Sequence, residues 1–372
     1  MKLAFLAEAP AGEECDAGRV LALPAPLSLV GPSGRLFGQM LRSAGIARVD
    51  QPPSQWRRDY DAVGLRSLMW ERSDHWVGNV WPERLENDDF GKLFGSATEA
   101  RQGGWAEPEW YARGYGWLRP VYRGALDDLA AELRAFGPDA VVCLGAAATW
   151  ALTGEVAIRE TSGTRMIATR VVPGVPVYPT LHPAHIIQDF RMLNRSVEDI
   201  RRASTGVQPQ PRDLWLEPDL ADMRRWWKEC GRRSPQLAVD IETMRGQFEC
   251  IAFSGRGGEQ DNPSAICVPF VDFRRPDRSY WPHAGAELDA LNIIAAWLDS
   301  DIPKIFQNGL YDVGWLWGVM GLPVRNYRHD TRLMAHVLDP EMPKSLAYLG
   351  ATFAVPPGPW KLHSRGEEKR DA

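Results

Sequence analysis

The stretch Lys2-Leu-Ala-Phe-Leu-Ala-Glu8-Ala-Pro10-Ala-Gly12 decides how the first half of the chain is read. Its unbroken apolar run predicts a buried strand, and Pro10 forbids that strand from continuing. Glu8 therefore falls at the strand's carboxyl end, the edge of an open α/β sheet where ligands bind. A carboxylate at that edge either caps a turn, pairs with an arginine, or takes part in chemistry.

Working outward, a Pro-, Ala- and Leu-rich stretch ends at Leu29-Val-Gly31-Pro-Ser33-Gly34. Apolar residues at helical spacing then predict a helix over 35–44, stopped by Gly45. A Gly/Ser turn that opens a helix offers backbone N–H groups to an anion such as a DNA phosphate. Trp76-Val-Gly-Asn79-Val-Trp-Pro82 predicts a short strand ended by proline, and 96–118 reads as a loop dense in tryptophan and glycine. A helix over 125–136, a strand over 140–144 and a helix over 146–152 follow. A strand over 175–181 then ends at His182-Pro183-Ala-His185, and a helix runs from there to about Ala203. Repeated strand–helix units imply a parallel sheet flanked by helices.

The chain has 372 residues, enough for two domains, with 44% hydrophobic and 24% charged residues, as in a soluble globular protein. No apolar run is long enough to span a bilayer, so no membrane partner is expected. Five scattered cysteines (Cys15, Cys143, Cys230, Cys250, Cys267) contain no CxxC pair, which suits a reducing cytoplasm and excludes a disulfide framework or zinc ribbon. Residues 1–203 carry 23 basic and 25 acidic side chains, the rest 20 and 23. Neither half is a basic domain, so any nucleic-acid contact must use a local patch.

Residues 204–217 have a linker's composition, dividing a first domain (1–203) from a second (218–372). After a charged helix over 218–233 comes Gln236-Leu-Ala-Val-Asp240-Ile-Glu242-Thr243, an apolar strand whose two carboxylates, two residues apart, share a face. Strands over 251–254 and 265–270 read as a meander, followed by a helix over 286–298. Lys304-Ile-Phe-Gln-Asn308-Gly-Leu-Tyr-Asp312 reads as a strand entering a helix, and 329–338 and 345–353 hold the last readable elements. The charged tail beyond Trp360 is expected to be disordered. Clustered carboxylates on an internal strand usually hold a cation.

Glu8, Asn79 and His182 each end a predicted strand, so one sheet edge could gather all three; singly, Asn79 and His182 are equally well read as caps. The strings around them (Ala7-Glu8-Ala-Pro-Ala-Gly12-Glu-Glu14, Val30-Gly31-Pro-Ser33-Gly34, Gly78-Asn79-Val80, Val142-Cys-Leu-Gly145, Leu181-His182-Pro-Ala184) occur in an order that resembles the uracil-DNA glycosylase superfamily, closest to its bacterial family-4 branch. The resemblance covers residues 1–203 and implies a parallel-sheet α/β/α glycosylase-like domain acting on DNA. It implies that Glu8 activates water, that Asn79 reads the edge of uracil, and that His182 donates to the uracil carbonyl. It also implies that Gly31, Ser33 and Gly34 hold phosphate, and that His185, Ile186 and Ile187 lie where the family wedges the duplex. Leu29 stands where the family has a phenylalanine that stacks on the base, a loss of about 1–3 kcal/mol. Ala7 and Ala11 replace family glycines. No cysteine precedes Glu8, so no iron–sulfur cluster is expected.

Asp240-Ile-Glu242-Thr, Phe306-Gln-Asn308-Gly-Leu-Tyr311-Asp312, His329-Asp330-Thr-Arg-Leu-Met-Ala and Ser345-Leu-Ala-Tyr resemble the 3′–5′ proofreading exonuclease domain of family A DNA polymerases, over residues 235–353. That resemblance implies a ribonuclease H-like α/β fold with two Mg²⁺ or Mn²⁺ ions. Asp240 would bridge the ions, Glu242 bind the nucleophile's ion and Asp312 help hold the second, while Asp330 is structural. The family's last motif, a tyrosine four residues before an aspartate, has no counterpart after Trp360. The exonuclease site is therefore expected to be incomplete: either the gene product is split, with the rest and a polymerase domain on a separate DNA polymerase polypeptide, or this is a truncated product. Together these readings describe a cytoplasmic DNA replication or repair protein of phage or bacterial type. The alternative is a non-catalytic DNA-reading or polymerase-assembly module.

Overall fold

β1 (Leu3–Ala7) is buried along its whole length, as a continuous apolar run in the middle of a parallel sheet must be. A computed structural model describes residues 1–9, 29, 31–46, 75–83, 85, 89–208, 211–257 and 262–354. The irregular stretch 10–28 and the tail beyond Trp360, with Asp371, lie outside the described residues. The chain divides into two units, Met1–Pro209 with Ala347–Ala372, and Gln210–Leu346. Both are α/β, the fold class that the sequence implies.

In the first unit, β1 is followed by α1 (Gly31–Ser43) and β2 (Trp76–Asn79). Next come β3 (Phe94–Gly95), α2 (Ala97–Gln102), β4 (Tyr111–Ala112), β5 (Gly116–Leu118), α3 (Arg123–Phe136), β6 (Ala140–Leu144) and α4 (Ala146–Thr153). The series continues through α5 (Ile158–Thr161), β7 (Met166–Ile167), β8 (Pro176–Thr180), α6 (Pro183–Gln188) and α7 (Leu193–Thr205). The main sheet has the order β2-β1-β6-β8-β7, parallel except for β7. Alternation sends Leu3, Phe5 and Ala7 into a core with Phe37, Met40 and Ile200, and Ala4 and Leu6 into one with Leu129, Leu133 and Trp150. Helices on both faces make the three-layer form.

Several expectations need correction. The helix after Leu29 begins at Gly31 and not at Arg35, so Ser33 and Gly34 belong to its first turn. Pro32 suits that turn, where the missing N–H has no partner to lose. The stretch 96–118 is not a loop. Ser96 and Glu99 form a capping box that starts α2, and β3, β5 and β4 make a small antiparallel sheet. The helix expected to run from His185 to Ala203 is broken between α6 and α7 by a 3₁₀ turn at Phe190–Met192.

The second unit holds β9 (Asp213–Leu216), α8 (Leu220–Glu229), β10 (Leu237–Met244), β11 (Gln247–Gly257), β12 (Asn262–Pro269), α9 (Ala284–Leu298), β13 (Lys304–Phe306), α10 (Leu310–Gly318), β14 (Tyr327–Asp330) and α11 (Thr331–Leu338). Its sheet order is β14-β13-β10-β11-β12-β9. β10, β11 and β12 form the expected antiparallel meander, and β13 and β14 add parallel strands beside β10. Residues 213–216, within the stretch read as a linker, form a parallel edge strand on β12. Val239 and Ile241 point into a core with Ile251, Phe253, Trp226 and Trp297, so the alternation turns Asp240 and Glu242 to the opposite face.

The last helix, α12 (Leu346–Phe353), groups with the first unit from Ala347 onward. The Arg202 guanidinium donates to the carbonyls of Ala351 and, at 2.9 Å, Thr352, neutralising the negative end of α12. Arg195 lies 5.2 Å above the Tyr348 ring. Gly163, at φ +81°, faces Ala351 so closely that a Cβ there would collide with it.

Candidate active sites

Register decides which residues meet in the first unit. Ala7 pairs with Asn79, Leu6 with Cys143 and Leu144 with Thr180. Because these strands are parallel, Glu8, Asn79, Gly145 and His182 fall along one carboxyl edge. The pairing continues beyond the strands: Val80 N–H donates to the Ala7 carbonyl at 2.9 Å and Trp81 N–H to the Glu8 carbonyl at 3.0 Å. The Glu8 backbone is thus fixed beside the end of β2.

His182 follows β8 and N-caps α6, with Nδ1 accepting the Ala184 N–H at 3.2 Å. An accepting Nδ1 carries no proton, so a neutral ring presents Nε2–H as a donor. Burial, then the charge of His185, pushes the His182 pKa down to about 4, and the ring is neutral at pH 7. Gly145, at φ +99°, donates to the Thr180 carbonyl at 2.8 Å, and a Cβ there would lie 3.4 Å from His182 Cβ. Gly145 was visible in the sequence as a residue ending a strand; its closeness to the imidazole was not.

Asn79 Oδ1 is buried and has no hydrogen-bond partner among the described residues. An unmet buried carbonyl is costly, and a ligand's N–H would relieve it. Leu29, at φ +55°, packs 1% exposed in the core cluster that includes Phe5, Ala7 and Phe37. Ser33 and Gly34 lie in the first turn of α1, Ser33 partly exposed and Gly34 buried. Of the expected wedge residues, His185 is half-buried and Ile187 exposed, whereas Ile186 is fully buried in the core and is not available to enter a duplex.

In the second unit, Asp240 and Glu242 lie on the open face of β10, and the pairing with β11 is bulged between Glu242 and Thr243. Asp312, in the first turn of α10, is 5% exposed and accepts the Ile241 N–H at 3.0 Å. That bond anchors its carboxylate to the strand between the other two acids. Burial and the Asp312 charge raise the Asp240 pKa. Burial raises that of Asp312 too, with Glu242 and Asp330 adding repulsion against the pull of the Ile241 N–H. Thr243 Oγ1 and Tyr311 OH are 2.5 Å apart and tie β10 to α10 again.

Asp330 accepts from the N–H groups of Asn308, Gly309, Arg332 and Leu333 and from Tyr327 OH, at 2.8–3.2 Å. Burial works to raise its pKa, but these donors outweigh it and hold the carboxyl below its usual range. Asp330 thereby fixes the turn that delivers Asp312, with Asn308 at φ +61°. Across β10, Glu242 pairs with Cys250 of β11. Ala252 of β11 pairs with Cys267 of β12, so Cys250 and Cys267 are diagonal neighbours on one face.

Among the described residues, no group of three or more His, Cys, Asp or Glu side chains converges as a metal cage. The donor set at Asp240, Glu242 and Asp312 nevertheless fits a hard divalent ion: the oxygens are carboxylate, and Asp312 repels both other acids, a repulsion that a cation relieves. No helix among the described residues is long and apolar enough to cross a membrane.

No protein-family model matches the chain, and no curated protein does. Among solved structures, the crystal structure of the EXD2 exonuclease domain is similar at 19% identity and a TM-score of 0.20, covering 38% of this chain and 69% of that chain. So slight an overlap bears on neither fold nor activity.

Proposed function

We propose that the first unit hydrolyses the N-glycosidic bond of uracil, or of a related base, in DNA. The observation that carries this reading is the row formed by Glu8, Asn79, Gly145 and His182 at one sheet edge, where His182 is a neutral donor and Asn79 Oδ1 lacks a partner among the described residues. On this reading the base is turned out of the stack into the edge pocket. Asn79 Oδ1 accepts the base's N3–H. Glu8 holds a water and takes its proton as the water oxygen attacks C1′. The C1′–N1 bond breaks, its electron pair moves to the base, and His182 Nε2–H steadies the charge on the base carbonyl oxygen. A neutral imidazole steadies that charge by hydrogen bonding from Nε2–H. The α1 N-terminus supports DNA phosphate.

Asn79→Ala should weaken binding of a uracil-containing single strand by about 1–2 kcal/mol, the worth of one buried hydrogen bond, while affinity for a uracil-free strand stays unchanged. Fluorescence anisotropy with the two strands checks it, and equal losses on both would remove Asn79 from base reading.

A second reading concerns the other unit: a divalent-ion-dependent 3′–5′ exonuclease on DNA. It is favoured by the meander with two added parallel strands, the arrangement that a ribonuclease H-like fold requires, and by the anchoring of Asp312 between Asp240 and Glu242. Asp240, Glu242 and Asp312 would hold the ions, which activate water and steady the leaving oxygen. Millimolar Mn²⁺ should raise the Tm of this unit's transition, by about 2.7 kcal/mol of stability at a hundred times Kd. Asp312→Asn should abolish the shift. An unshifted wild type contradicts this reading without touching the first.

A further inference from the structure

The face of the second sheet that carries Asp240 and Glu242 also carries two thiols. Ile251 and Phe253 of β11 point into the core, so Cys250 and Ala252 point the other way. Glu242 pairs with Cys250 across β10 and β11, and Ala252 pairs with Cys267 across β11 and β12. Cys250 and Cys267 are thus diagonal neighbours on adjacent antiparallel strands. Both are half-buried, and they stand side by side on the sheet face that carries Glu242. Cys143 and Cys230, by contrast, are 0% and 3% exposed in the two cores.

We propose that Cys250 and Cys267 form a reversible oxidation site, converted by a hydroperoxide into a cross-strand disulfide beside Glu242. One thiolate attacks the peroxide O–O bond, giving a sulfenic acid and releasing water or an alcohol. The other thiol then attacks the sulfenic sulfur, the S–S bond forms, and water leaves. Two electrons pass from the thiols to the peroxide, and an external dithiol returns them by thiol–disulfide exchange. Diagonal positions on paired strands are spaced at about 7–8 Å, beyond the usual span of a disulfide, so closure slides β11 along β12. The strain makes the bond easy to reduce, as a reversible site requires. Because Cys250 is the direct partner of Glu242, the same movement shifts that carboxylate.

The test uses the full chain, reduced and freed of reductant, then treated with dilute hydrogen peroxide. Remaining thiols are alkylated, and tryptic peptides, cut at Arg256 between the two cysteines, are analysed by mass. The expected result is the Cys250 and Cys267 peptides recovered joined, with both thiols lost together and restored by dithiothreitol. Cys250→Ala and Cys267→Ala should each remove the joined product. Both thiols alkylating fully after peroxide, separate sulfinic acids with no joined product, or a disulfide through another cysteine would each overturn the proposal. The wild-type map decides the matter even where a variant folds poorly.

Discussion

Glu8→Gln should lower single-turnover release of uracil from a single strand by about 10²–10⁴-fold, the range that general-base assistance supplies. The substitution keeps size and shape, and the backbone at this position stays pinned by the Trp81 N–H on the Glu8 carbonyl. On the proposed mechanism, what it removes is the group that takes the proton from water. Affinity for the strand should change little, because the carboxylate is proposed to act on water and not on the base. The loss is therefore expected in the rate and not in the half-saturating concentration, which separates a base from a binding residue. Release at the wild-type rate would take Glu8 out of the mechanism.

The second large effect concerns stability. Asp199 on α7 is 2% exposed, faces Arg195 and Arg202, and lies beside Thr180, the residue that ends β8 two places before His182. Burial pushes its carboxyl up to about 6 against the pull of Arg195, Thr180 and Arg202, while Glu198 adds to the rise. A carboxyl with a raised native pKa binds its proton more tightly when folded. Its contribution is therefore most favourable below the unfolded value near 3.9 and is lost as pH rises through about 6. A shift of this size corresponds to roughly 3 kcal/mol. Urea unfolding across this range should show that fall in the wild type, and Asp199→Asn should flatten it. The slope is the quantity to compare, since the variant also leaves Arg195 without its counter-charge. An unchanged slope would mean that Asp199 takes up its proton alike in the folded and unfolded protein.

What the sequence made legible follows the physics of each element. β1 and β10 declare themselves because a parallel central strand is apolar throughout, whereas a strand covered on one face alternates. Once those periods are read, Glu8 at a strand end and Asp240 with Glu242 on one face follow directly. The capping box at Ser96 and Glu99 was present in the sequence, but the surrounding tryptophans and glycines masked it. The β9 strand was hidden because it is four residues long, bonded on one side only to β12, and follows directly on a Pro- and Gln-containing stretch of linker composition. The grouping of α12 with the first unit depends on Arg202 and Gly163 meeting residues about 150 and 190 positions away, which no local pattern encodes. A local sign of the buried charges did exist. Arg195, Asp199 and Arg202 recur at helical spacing on α7 and are buried, as are Val197, Ile200 and Ala203. Such a charged stripe on a buried face marks an internal network rather than a solvated one.

The central claim, that the sheet edge holding Glu8, Asn79 and His182 cleaves the base from DNA, is tested most directly by base release in EDTA. A single strand carrying one uracil is incubated with the protein, and free uracil is measured alongside alkali-labile breaks. The chelator silences any ion-dependent nuclease, so alkali-labile sites report glycosidic cleavage alone. One uracil should be freed per abasic site, with release lost in Glu8→Gln and in His182→Ala while both variants still bind the strand. Binding without release by the wild type, or release that survives in both variants, would contradict it.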